Sequence, residues 1–346
     1  MVFGLGYMAA LALVVAEAAA GRASTGDVLL AVTAAARIRD QVRGAAGLIQ
    51  GLLANRRVVG RYLWLVDYAD AKRRRADRPS GIAPMLPPDR LVDGITFHQV
   101  AFRYPGQERY VLRDIDVHIP AGSVVAVVGE NGVGKSTLVK LLARFYDPTS
   151  GEIYVDGESL ADIDTGAWRA RTSAVFEDFI HYELLLHEVV GIGHLPSIDD
   201  ASAVERALER AGALDILDGL PTGLATRLGT SHPGAVDLSK GQWQKLALAR
   251  GVMRPHPLLF LLDETTAALD AETEHALYES YASQARASGD GSITILVSHR
   301  FSTVRMADLI LVVNDGRIAE CGSHDELMEH DGLYADLYGV QAKGYR

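Results

Sequence analysis

At 346 residues the chain is long enough for two domains, and its 48% hydrophobic and 23% charged residues belong to a folded protein, not a disordered one. A net charge of −10 argues against a general nucleic-acid-binding face, which needs a basic surface. The single cysteine, Cys321, excludes an internal disulfide and fits a reducing compartment.

The first element in chain order is an apolar run. Residues Val2 to Ala16 carry no charge, and Ala18 to Gly21 extend the run past Glu17, which is close to the ~20 residues a membrane helix needs. The alternative is a signal peptide ending at the small residues near Ala20, against which the missing basic start counts. A second candidate span begins at Asp27 and is interrupted by Arg37, Arg39, Asp40 and Arg43. Arg37, Asp40 and Arg43 share a broad helix face. That face either looks into a polar bundle interior or marks a helix that leaves the membrane early. The basic residues that follow (Arg56, Arg57, Arg61, Lys72, Arg73, Arg74, Arg75) mark the cytoplasmic side, and contact with anionic lipid is compatible with them. Residues 1–77 are thus expected to be a partial transmembrane domain of two helices. Pro79, Pro84, Pro87 and Pro88 make 78–93 a linker.

Beyond the linker, short Val/Ile/Leu strands alternate with helices, an α/β layout. VVAVVG (124–129) is a buried-type strand that runs into GENGVGKS (129–136) and then a helix, LVKLLARFY. Strand, glycine-rich loop, GKS and helix together are the context of a phosphate-binding loop. Gly129, Gly132 and Gly134 let the backbone curl so that its N–H groups face phosphate, and the helix start adds a favourable partial charge. Lys135 would reach the β- and γ-phosphates, and Ser136 would ligate Mg²⁺, a hard cation that takes oxygen.

Further along, LLFLLDE (258–264) is an apolar strand ending in two acids. Asp263 would hold Mg²⁺ through water, and Glu264 would polarise the attacking water. ITILVSH (293–299) ends in His299, at the kind of strand end that lines the ligand crevice of open α/β sheets. Taken singly these are ordinary surface acids and a structural histidine. Their place downstream of the phosphate loop gives them the sharper reading.

With those residues in order, the chain resembles the ATP-binding cassette (ABC) family, exporter type. The likeness covers about residues 94–340. It rests on the phosphate loop, VDLSKGQWQKLALAR (236–250), the Asp263–Glu264 pair, AALD (267–270) and His299. It implies an α/β P-loop NTPase fold with a RecA-like core and a helical subdomain at about 178–250. It implies ATP contacts at Gly129, Glu130, Asn131, Gly132, Val133, Gly134, Lys135, Ser136 and Thr137. Tyr104 of FRYPG (102–106) would stack on adenine; an edge-strand tyrosine is its plainer reading. Lys135, Glu264 and His299 would be catalytic, and Ser136, Asp263 and Glu177 would serve Mg²⁺. Leu238, Ser239, Lys240, Gly241 and Gln242 would face the γ-phosphate of ATP held by a partner subunit, since a helix start suits an anion. Two cassettes, in a homodimer or a heterodimer with a related chain, would sandwich two ATP molecules head to tail. Asp270 would cross that interface.

Three positions depart from the family's pattern: Glu177 stands where Gln is usual, Lys240 where Gly is, and Thr265 where Pro is. The apolar run, the loop RASTGD (22–27) and the long second helix resemble the last two of six membrane helices, with the first four absent. The resemblance implies a multi-pass cell-membrane location with the ATPase domain in the cytoplasm and no nucleic-acid partner. An exporter subunit is the first reading; a membrane-tethered module without transport and a non-transport cassette ATPase are the alternatives. The transported substrate is not legible, because cargo choice would lie in the membrane helices.

Overall fold

The computed structural model describes residues 2–21, 24–76, 84–263, 289–298 and 300–344. The chain divides into two units, Met1–Ala83 and Pro84–Arg346.

The first unit holds helix α1 (Val2–Ala19) and helix α2 (Thr25–Ala76, 52 residues). Ser24 starts α2 as a reciprocal cap: its hydroxyl accepts from the Asp27 N–H at 3.2 Å, and its own N–H donates to the Asp27 carboxylate at 2.9 Å. At about 1.5 Å per residue α2 is roughly 78 Å long, well beyond the ~30 Å hydrocarbon core of a bilayer. Its second half exposes Val58, Val59, Tyr62, Leu63, Trp64 and Leu65, and Trp64 stacks on Tyr68 at 5.5 Å. The two expected helices are therefore present. Among the described residues, however, no helix is long and apolar enough to cross a membrane. Charged residues spread along α2 are the reason it fails that measure.

The second unit is built on two sheets. The smaller contains β1 (Gly94–Phe102), β2 (Leu112–Pro120), β4 (Ser150–Val155) and β5 (Glu158–Ser159), in the order β2-β1-β4-β5 and antiparallel. The larger contains β3 (Val124–Val128), β6 (Thr172–Val175), β7 (Leu259–Asp263), β8 (Ile293–Val297), β9 (Leu309–Asn314) and β10 (Arg317–Gly322). Its order is β10-β9-β3-β8-β7-β6, all parallel except the edge strand β10.

Strands β3, β7 and β8 are buried along their whole length, as parallel strands covered on both faces must be. The pleat sends alternate residues of β3 to two different cores. Val124, Ala126 and Val128 join a cluster with Leu246 and Val252, whereas Val125 and Val127 join one with Phe97, Leu138 and Trp168. The second cluster seats helix α3 (Lys135–Leu142) between the sheets through Leu138, Leu141 and Leu142. Truncating any of these leucines to alanine is expected to cost about 2–5 kcal/mol.

Between β6 and β7 the chain leaves the sheet. There it forms α5 (Leu186–Gly191), α6 (Ala201–Arg210), α7 (Leu214–Asp218) and α8 (Lys240–Val252), whereas α4 (Thr165–Ala170) lies ahead of β6. These later helices pack in the first cluster through Val189, Val190, Leu208, Trp243 and Leu246. The part of the expected linker that is described is tied down. Met85 bridges to Ile163, and the Leu91 N–H donates to the Asp290 carbonyl at 2.9 Å with its side chain buried.

Candidate nucleotide-binding site

Strand register fixes where the site lies. Val127 of β3 and Asp263 of β7 both pair with Val297 of β8, so the carboxyl ends of these three parallel strands are level. The residues that follow β3 and β8, and the last residue of β7, therefore share one edge of the sheet, where ligands bind in open α/β folds.

The loop after β3 can take its path only with glycine at its tightest points. Gly129 has φ 146°, and a Cβ there would lie 2.2 Å from the Val313 carbonyl oxygen. Gly134 has φ 114°, and its Cβ would meet Leu112 at 2.7 Å. Glu130, Asn131 and Gly132 form the exposed crest, Val133 is half-buried, and Lys135 and Thr137 are buried at the start of α3. The Lys135 ammonium donates to the carbonyls of Gly129 and Glu130, both at 2.9 Å. The loop thus curls around the positive charge at the amino end of an eight-residue helix, the arrangement that receives a phosphate.

Ser136, the next residue, donates its hydroxyl to Oδ1 of Asp263 at 3.0 Å. Asp263 is only 3% exposed, so a carboxylate stands at the buried end of an apolar strand facing the loop. Among the described residues no group of three His, Cys, Asp or Glu side chains is placed to hold a metal by itself. One hydroxyl and one carboxylate are hard oxygen donors. They leave the remaining positions of an octahedron to phosphate and water, which is how Mg²⁺ is usually held. The donors fit Mg²⁺ arriving with a nucleotide.

Tyr104 is half-buried, and its hydroxyl lies 3.1 Å from Oγ1 of Thr137, so it borders the loop helix. Its ring meets Phe102 and Tyr146 edge-on at 5.0 and 5.2 Å. Glu177 is exposed, two residues beyond β6, whose Val175 pairs with Leu262 beside Asp263.

The LSKGQ segment stands at the start of α8. Leu238 is buried and Ser239 is the N-cap, with Lys240 exposed and Gly241 and Gln242 half-buried. The Ser239 hydroxyl accepts from the Gln242 N–H at 3.3 Å, and the Gln242 side chain accepts from the Ser239 N–H at 2.9 Å. This capping box gives Ser and Gln a local reason to be there, and it leaves an exposed helix start beside them. Glu264, Thr265, Asp270 and His299 lie outside the described residues.

One set of contacts, made by the run His181–Tyr182–Glu183, has no signal in the sequence. His181 stacks on Trp243, Tyr182 lies under Arg250, and Glu183 accepts from the backbone of Thr230 and Ser231. Hydrogen bonds from the Ser231 side chain and the Thr230 N–H hold the Glu183 carboxyl below the usual carboxylate range. Burial pushes the Arg250 guanidinium down from its ordinary value. Three ordinary residue types in a loop leave no spacing signal to read.

Comparison with known proteins agrees with this geometry. A family model described as ABC transporter matches residues 112–267. An ATP-dependent lipid A-core flippase of Ralstonia nicotianae is 41% identical over 254 residues, covering 73% of this chain and 42% of the relative. One from Xanthomonas oryzae pv. oryzae is 34% identical over 346 residues, covering 99% of this chain and 55% of the relative. The solved structure of a bacterial Atm1-family ABC exporter with ATP bound is similar, with a TM-score of 0.65 and 30% identity over 98% of this chain and 56% of that one. The chain spans about half the length of the curated relatives it matches. The exporter-type resemblance read from the sequence motifs is borne out by these matches.

Proposed function

Because this chain belongs to the ABC transporter family and its cassette is of the exporter type, we propose that it is the ATP-binding and ATP-hydrolysing subunit of an exporter. It works as a head-to-tail dimer, with itself or with a related chain, and couples hydrolysis to movement of a substrate across the cell membrane. Helices α1 and α2 act as the last two helices of the membrane domain, with the cassette on the cytoplasmic side. The observation that carries this reading is the Ser136–Asp263 hydrogen bond of 3.0 Å, which joins the phosphate loop to the acidic strand end across the level edge of the sheet. The lipid A-core activity of the relatives belongs to longer chains and is not carried over.

The residues divide the work. The backbone N–H groups from Gly129 to Thr137 and the Lys135 ammonium hold the β- and γ-phosphates. Tyr104 borders the adenine. Ser136 holds Mg²⁺ and Asp263 and Glu177 serve it; when bound, that ion offsets charge on the phosphates. Glu264 orients a water oxygen in line with the γ-phosphorus and takes its proton as the bond to the bridging oxygen breaks, releasing ADP and phosphate. His299 contacts the γ-phosphate and keeps the closed geometry. Ser239 and the α8 start supply the γ-phosphate contact to the opposite subunit's nucleotide, so closure completes each site.

The test is phosphate release from ATP by the full chain in lipid nanodiscs. Release that requires Mg²⁺ and is lost in Lys135→Ala supports the reading. Release unchanged in Lys135→Ala overturns it.

A further inference from the structure

Helix α4 and the turn that leads into it hold the linker with one set of groups and the far end of the phosphate-loop helix α3 with another. At the start of α4 the Met85 N–H donates to the Asp162 carbonyl at 2.9 Å, and the Met85 carbonyl accepts from the Asp164 N–H at 2.7 Å. Asp164 is also the α4 N-cap, accepting from the Ala167 N–H at 2.7 Å. Just past the end of α4 the Arg171 guanidinium donates to the Asp89 carbonyl at 2.8 Å. Both ends of one short helix therefore hold the linker.

The same helix closes the carboxyl end of α3. A helix leaves its last carbonyls without partners of its own, and cations suit that end. Trp168, fully buried, donates its indole N–H to the Leu142 carbonyl at 2.8 Å. Arg169 donates to the carbonyls of Ala143 and Arg144. Arg144 turns the chain off α3 at φ 55°, a left-handed conformation that a residue with a side chain keeps only where its surroundings fix it. Its side chain is 12% exposed, and the guanidinium forks to the carbonyls of Ala161 and Ile163. Those two residues flank Asp162, whose carbonyl receives Met85.

We propose that Arg144 and Arg169 are positioning residues through which occupancy of the phosphate loop sets how firmly the cassette grips its own linker. This rests on the ATP-binding reading above. Helix α3 has eight residues, about 12 Å of rigid rod, with the phosphate loop at one end and the two arginines at the other. Phosphate held by the N–H groups at the helix start fixes α3 in place. Its last carbonyls then stay seated on Trp168 and Arg169, and Arg144 keeps the 161–163 backbone in register with Met85. With the loop empty α3 is freer, and the Met85 bridge opens more often. The linker follows α2 in the chain, so nucleotide stiffens the segment that joins α2 to the cassette.

The test is amide hydrogen exchange at Met85 and Asp164 in the full chain in lipid nanodiscs, with and without a non-hydrolysed ATP analogue and Mg²⁺. Wild type is compared with Arg144→Ala and Arg169→Ala, and analogue affinity is measured alongside. Bound analogue is expected to slow both wild-type amides about fivefold or more. In Arg144→Ala the ratio of rates without and with analogue is expected to fall to about 1, while affinity stays within about twofold. Arg169→Ala removes the bonds from the α4 side of the same contact, and it carries the test should Arg144→Ala fail to fold. A purely structural role would speed exchange with and without analogue alike and leave the ratio unchanged. A wild-type ratio in either folded variant therefore overturns the proposal. So does a ratio lost only in step with analogue affinity, which would place the defect in the phosphate loop itself. A wild-type chain that binds the analogue with no change at either amide overturns this inference and leaves the ATP-binding reading standing. A wild-type chain that binds no analogue overturns both.

Discussion

Ser136 and Asp263 are 127 positions apart in the chain and 3.0 Å apart in space. The pairing exists because β3 and β7 run parallel on either side of β8 with their ends level. One strand delivers a loop that opens a helix, and the other delivers a carboxylate that no apolar core would otherwise tolerate.

Loss of either partner should therefore separate metal-dependent chemistry from nucleotide binding. Asp263→Asn and Ser136→Ala are each expected to lower Mg²⁺-dependent turnover about a hundredfold, ~3 kcal/mol in the barrier. Binding of ATP measured in EDTA should change little. Equal losses with and without the metal would mean that the pair only supports the loop.

Ser239 has a structural duty as the α8 N-cap and a proposed duty toward the partner's phosphate, and one pair of variants tells them apart. Ser239→Ala removes the cap and is expected to cost about 1 kcal/mol of stability along with turnover. Ser239→Asp keeps a good cap, so thermal unfolding should stay near wild type. Its charge would face the γ-phosphate, and turnover should fall further than in Ser239→Ala. Normal turnover in Ser239→Asp would confine Ser239 to capping.

Sequence patterns that repeat with a physical period were the legible part. The apolar runs of β3, β7 and β8 are buried strands because covered parallel strands have no polar face. The glycines of the loop could be read because a positive φ and close backbone leave few other residues. Contacts made by pairs of ordinary residues were not legible. Nothing in the order of His181 and Trp243 foretells a stack, since tertiary packing alone brings them together. The tie of Met85 and Leu91 to the cassette was likewise hidden, because prolines announce a break in regular structure and say nothing of docking. The apolar run at the amino end reads as a span from its composition, whereas among the described residues no helix is long and apolar enough to cross a membrane.

Two carboxylates give the cassette an acid-sensitive margin. Hydrogen bonds from Ser231 and Thr230 lower Glu183, and those from the Ser323 backbone and then its hydroxyl lower Glu326 at the cap of the helix His324–Glu329. A carboxyl whose folded value lies below its unfolded value of about 4.3 stabilises fully above that pH. The contribution is lost as pH falls through the folded value. Denaturant midpoints followed from pH 7 to pH 3 should therefore decline, and the slope should flatten in the double variant Glu183→Gln, Glu326→Gln. An unchanged slope would show that these two groups do not carry the acid response.

Gly129 should tolerate no side chain. Gly129→Ala places a Cβ 2.2 Å from the Val313 carbonyl at φ 146°, so loop and sheet cannot both keep their places. The expected loss is about 1–3 kcal/mol of stability together with ATP binding. Thermal unfolding and ATP titration of the purified variant check it, and wild-type behaviour in both would remove the close approach from the account.

Glu177 and Glu264 should differ in weight. Glu177→Gln restores the residue usual in the family and is expected to change kcat by less than Glu264→Gln does, since Glu264 is assigned the water and Glu177 only the metal side. A larger loss at Glu177 would transfer a catalytic duty to it.

We propose that this cassette closes on ATP against a second one, its own copy or a related chain, and that Glu264 reopens the pair through hydrolysis. This is tested most directly by the mass of the detergent-solubilised Glu264→Gln chain, measured by light scattering with MgATP and without it. Retained ATP binding, turnover lowered about a hundredfold or more, and a dimer that persists only with nucleotide are expected. A variant that still turns over at the wild-type rate, or that binds MgATP with no change in its association, would contradict it.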